Sequence, residues 1–154
     1  MNRANDALLL LGRLLMAALF LPSGVGKAMN FAPFAASLAD KGLPYADALA
    51  AAAVAAEMLG PIALILGVLP SWTALLLVAV ATATGLSHRY WEFADAAVRR
   101  GQEFSFYKNV GIVAGLLFYS VSGAGSWSIA GLMSRTPKPK KTDDAPQAAK
   151  AAAA

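Results

Sequence analysis

A single glutamate, Glu57, stands in an apolar run from Ala46 to Leu69 in which Asp47 is the only other ionisable residue. An ionisable side chain inside a spanning helix costs about 2.5–3.5 kcal/mol on insertion scales, so it normally faces the bundle interior and has a partner. Pro61, four residues on, has no N–H to offer the Glu57 carbonyl, which places a carboxyl and a freed backbone acceptor at one depth. Arg13 lies about one and a half turns into the first apolar run, and its long side chain is expected to reach Glu57. An Arg13–Glu57 ion pair would lock two helices together; proton or ligand handling by Glu57 is the functional alternative.

Four more polar residues fall at the ends of apolar runs: Lys27, His88, Lys108 and Asn109. Up-down threading of four helices brings them to one level, with Trp91 beside them, above Glu57. Together they would make a cationic, hydrogen-bonding mouth for a polar head group, a quinone carbonyl or an anion. The plainer account is that the lysines snorkel to the interface and His88 caps a helix end. No cysteine is present, which excludes disulfides, thiol redox relays, Fe–S clusters and thiolate metal sites. One histidine excludes bis-histidine haem ligation and an HExxH zinc site. No metal and no intrinsic cofactor are therefore expected, and catalysis by this chain alone is not.

These residues must be held by an unusually apolar chain. Of 154 residues, 58% are hydrophobic, and mean hydropathy is +0.55. A soluble domain of this size exposes too much surface to hide that fraction, so the bilayer is its solvent. A span needs ~20 apolar residues to cross ~30 Å of hydrocarbon, and stretches 8–29, 46–69, 72–90 and 110–129 qualify. The expected fold is all-α: an integral-membrane four-helix bundle of up-down topology over residues 1–133, with a disordered tail over 134–154.

The joints agree. Gly67 to Ser71 reads as a tight turn with Ser71 as N-cap of the third helix. Phe31, Phe34 and Leu38 give the 31–45 connection an amphipathic turn. Residues 91–108 form the most polar connection, flanked by Tyr90, Trp91, Phe104, Phe106 and Tyr107 like an aromatic belt, with Trp72 and Trp127 marking the other face. Gly111 and Gly115 are spaced as GxxxG, which internal packing explains as well as dimerisation does; a homo-oligomer stays open. Arg3 and the run from Leu8 to Leu21 have the outline of a signal peptide, but Arg13 interrupts the run, and it reads as a retained helix.

The excess positive charge sits mainly in the tail, with Arg135, Lys138, Lys140, Lys141 and Lys150. No basic stripe interleaved with aromatics accompanies it, so membrane lipids rather than nucleic acid are the expected partners. With Arg3 and this tail on one side, against Lys41, Arg89, Arg99 and Arg100 on the other, cytoplasmic N- and C-termini are favoured.

The order Gly12-Arg13-Leu14-Leu15, Phe20-Leu21-Pro22-Ser23-Gly24, Gly26-Lys27, Glu57-Met58-Leu59-Gly60, Ile65-Leu66-Gly67, His88 with Trp91, and Phe106-Tyr107-Lys108-Asn109 through Gly115-Leu116-Leu117 resembles the DoxX family across residues 8–120. The resemblance implies a small four-helix protein of the bacterial inner membrane. Relatives named DoxD belong to a thiosulfate:quinone oxidoreductase, and some DoxX proteins are linked to membrane redox complexes that meet oxidative stress. Carried over, this implies a non-catalytic subunit or anchor of a quinone-linked redox complex, with a redox protein as partner and quinone as the ligand. Two other readings are a small transporter or channel gated by Glu57, and an oxidoreductase subunit that reacts with quinone directly.

Overall fold

Long apolar runs satisfy their backbone groups internally by coiling, and helices make up most of the 3–134 region that the computed structural model describes. Helices α1 (Arg3–Met29), α2 (Phe31–Asp40), α3 (Ala46–Leu66), α4 (Pro70–Ser87), α5 (Ala96–Ser122) and α6 (Ile129–Ser134) follow one another, with a single 3-10 turn at Tyr90–Glu92. Among the described residues four of these, α1, α3, α4 and α5, are long and apolar enough to cross a membrane. The expected four-helix bundle is thus present. From residue 135 onward the expected disordered tail lies outside the described residues.

Local chemistry sets the helix ends, and hydropathy alone misplaces several. The second span stops at Leu66 rather than 69, because Gly67 adopts φ +66° and its N–H turns back to the Ala63 and Leu64 carbonyls. The third starts at Pro70, whose fixed φ suits the first helical position, and not at 72. Ser71 is therefore not the N-cap; it sits inside α4 and donates to the Ser120 carbonyl at 3.0 Å.

The largest departure is the fourth span. Its helix runs Ala96–Ser122, not 110–129. Asp95 caps the start by accepting from the Ala97 and Val98 amides, so the charged stretch expected to be a loop becomes the first turns of α5. Gly123, at φ +74°, ends the helix seven residues early. The chain then hooks back over the α3–α4 turn, where the Ala130 amide donates to the Gly67 carbonyl at 3.2 Å.

Helices α1, α3, α4 and α5 pack in that spatial order, with α2 against α3. Phe20, Leu64, Leu77, Ala81 and Leu116 form the core, and Gly60 lets α3 approach so closely that a Cβ there would sit 2.7 Å from Leu77. Leu59, Trp72, Phe118 and Val121 stand exposed on the outside, as a surface solvated by hydrocarbon permits. The backbones of α1 and α5 stay apart and meet through side chains such as Met16 against Gly115, which leaves a cleft on that side.

Candidate functional site

The buried ion pair is Lys27 with Glu57. Arg13 does not reach the carboxylate, and the reason is directional. Cα–Cβ bonds tilt toward a helix's own N-terminus. On α1 this sends Arg13 away from mid-bundle and sends Lys27 back toward it; on the antiparallel α3 it tips Glu57 toward Lys27. Arg13 is instead fully buried at the other end, where Nη1 donates to the Ile65 carbonyl at 2.8 Å and Nη2 to the Trp127 carbonyl at 2.6 Å.

Glu57 lies midway along α3 and is 2% exposed, whereas the Lys27 side chain keeps 23% of its surface accessible. The ammonium thus reaches inward to a carboxylate that cannot reach out. Lys27 also lies in the last turn of α1, where a cation is favoured, and 5.3 Å from the centre of the Phe34 ring on α2. Gly24 brings the two helices together: a Cβ there would meet the Glu57 carbonyl oxygen at 2.9 Å. That oxygen is the one freed by Pro61, so α1 packs its glycine on a mid-helix stretch of α3 backbone that lacks its intrahelical donor.

Gly24→Ala should therefore push α1 off α3 and lower thermal stability in detergent by about 1–3 kcal/mol. Gly26→Ala, where a Cβ meets nothing within 4 Å, should be neutral or slightly stabilising. Equal stability of the two variants would contradict this packing account.

A small cavity of about 80 Å³ adjoins the pair, lined by Ser23, Glu57, Thr84, Lys108 and Asn109 with Phe20 and Ile112. It is large enough for water or for the polar end of a ligand. The second carboxylate oxygen of Glu57 has no hydrogen-bond partner. Asn109 is buried beside Gly85, where a Cβ would lie 3.1 Å from its own, and its Nδ2 donates to the Ser105 carbonyl at 2.9 Å. Lys108 is exposed at the cavity's edge.

Of the residues expected to converge, Lys27, Glu57, Lys108 and Asn109 do. His88 does not line the cavity; its Nδ1 is 2.7 Å from Gln102 Oε1, tying the end of α4 to α5. Trp91 is 58% exposed and packs edge-on against Tyr90 and Phe106 in the aromatic cluster. Ser23 and Thr84 were missed by sequence reasoning. Ser23 stands one helical turn before Lys27, on the same face, and that spacing was the available signal.

Four apolar helices threaded antiparallel around a buried ammonium–carboxylate pair define a polytopic membrane protein. The DoxX family model matches residues 8–89, more than half of the sequence, and the chain belongs to the DoxX family. It is similar to the inner membrane protein YphA of Escherichia coli (strain K12), with 29% identity over 127 residues, covering 82% of this chain and 90% of that protein. No solved structure matches it. Family, spans and relative together make it a multi-pass inner-membrane protein.

Proposed function

We propose that this chain is a non-catalytic membrane subunit of a quinone-linked redox complex, with N- and C-termini in the cytoplasm, and that it holds a quinone head at the cavity beside Glu57. The observation that carries this reading is a cavity edged by two donors, Lys108 and Asn109, beside a buried carboxylate oxygen without a partner that can accept from the hydroxyl of the reduced quinol. Lys108 is the donor to a quinone carbonyl, and Asn109 has a second amide hydrogen beyond the one given to Ser105. Lys27 is occupied by Glu57; its role is to hold that charge in place. The DoxX resemblance supports the choice of quinone over other carbonyl ligands.

Titrating the detergent-purified protein with decylubiquinone, read by tryptophan quenching, should give saturable binding. Lys108→Ala should weaken it about tenfold, the worth of one hydrogen bond from a charged donor. Absence of saturable binding, or an unchanged affinity in Lys108→Ala, would overturn the quinone site. Native mass spectrometry of the mildly extracted protein should show a stoichiometric redox partner, and a bare chain would remove the subunit reading. A second reading, proton or small-solute movement gated by Glu57, draws on the position of that carboxylate midway along α3. Proteoliposome flux above background that Glu57→Gln abolishes would bring it forward.

A further inference from the structure

The cleft between α1 and α5 contains a cavity of about 280 Å³, whose lining on α1, from Leu8 to Met16, ends about one turn before that of the Glu57 cavity begins. Its walls are apolar, from Leu8, Met16, Leu64, Leu116 and Phe118, yet Arg13 and Tyr119 also line it. Both carry a buried donor with no partner: the Arg13 Nε and the Tyr119 hydroxyl. The two groups line the same cavity, Arg13 from α1 and Tyr119 from α5. Arg13 is 2% exposed, and its two hydrogen bonds go to neutral carbonyls rather than to a carboxylate. The Asp6 carboxylate, on the same helix, accepts from the Ser126 amide at 2.7 Å and from the Ser126 hydroxyl. A buried cation is costly unless an anion accompanies it.

We propose that this cleft binds a single-chain carboxylate amphiphile, a free fatty acid taken laterally from the bilayer. Its carboxylate accepts from Arg13 Nε and Tyr119 Oη and balances the buried charge, while its hydrocarbon tail runs out between α1 and α5. Two acceptor oxygens and one negative charge meet two idle donors and one positive charge. Met16, whose methyl lies where a Gly115 Cβ would come within 3.0 Å, is unbranched and moves aside to admit the head group. The site is independent of the proposed quinone site.

The test is equilibrium binding of radiolabelled palmitate to the detergent-purified full chain, with hexadecanol as a neutral probe of the same tail length. Wild type should bind palmitate saturably, near one per chain, and at least about tenfold more tightly than hexadecanol, since the alcohol brings no charge. Tyr119→Phe, which removes the hydroxyl alone, should weaken palmitate about tenfold. Gly12→Leu fills the cavity from a position where a Cβ meets nothing within 4 Å, so it should block binding while the helix stays folded. Lys108→Ala should bind palmitate like wild type, which separates this site from the quinone site whether or not the latter exists. Equal uptake of palmitate and hexadecanol, or unchanged palmitate binding in both Tyr119→Phe and Gly12→Leu, would overturn the proposal.

Discussion

Lys27→Met should destabilise the protein more than the loss of a surface lysine ever does, by about 2–4 kcal/mol, because it strands the Glu57 carboxylate in the bundle. The pair is asymmetric: Glu57 is 2% exposed, and the Lys27 side chain is 23% exposed. Removing the partly solvated member leaves the fully buried charge alone, with one carboxylate oxygen already lacking a partner. Glu57→Met should cost less, since the lysine left behind has water and head groups within reach. The double variant Lys27→Met/Glu57→Met removes both charges and keeps the volume, so it should recover most of the loss or exceed wild-type stability. Thermal unfolding of the four proteins in one detergent gives the coupling energy directly. If Lys27→Met matched wild type, or if the double variant were the least stable of the four, the ion pair would not be the lock that its geometry describes.

How much of this was legible follows from which physical signal each feature rests on. Four spans could be counted because hydropathy over ~20 residues is a strong signal, and the polar residues within them stand out for the same reason. Helix ends could not be placed as well, because a capping aspartate at Asp95 and a left-handed glycine at Gly123 decide where α5 begins and stops. Hydropathy is blind to both. The pairing error has a different origin. Arg13 and Glu57 were matched on reach, but reach has a direction on a helix, and Cβ tilt sends Arg13 toward the start of α1. Applied to the sequence, the same tilt favours Lys27, although the axial offset between α1 and α3 that brings it level with Glu57 is a tertiary fact. His88 and Trp91 fell outside the cavity because α4 ends at Ser87 and the chain turns outward there, a bend that residue spacing does not reveal.

Arg13→Met should release the C-terminal hook and lower stability by about 3–5 kcal/mol, even though it removes a buried charge. Arg13 joins three segments that are otherwise far apart in sequence: its own helix, the end of α3 through the Ile65 carbonyl, and the hook through the Trp127 carbonyl. The Ile65 carbonyl belongs to the last turn of α3, where no intrahelical donor remains, so the guanidinium serves as a cap supplied from another helix. Gly67 is what lets it in. A Cβ there would lie 2.8 Å from Arg13 Nη1 and would collide with the Ser128 Cβ, and the residue already sits at φ +66°. Gly67→Ala should therefore mimic Arg13→Met, and combining the two should add little, because each breaks the same junction. Arg13→Lys keeps the charge but presents one ammonium in place of a planar fork, so it should retain one of the two carbonyls and about half the stability. Hydrogen exchange locates the damage: Arg13→Met should expose the amides of Ser126 and Ala130, which are held by Asp6 and Gly67, while those of α4 stay protected. Uniform loss of protection across α4 would mean that the arginine holds up the whole bundle rather than its hook.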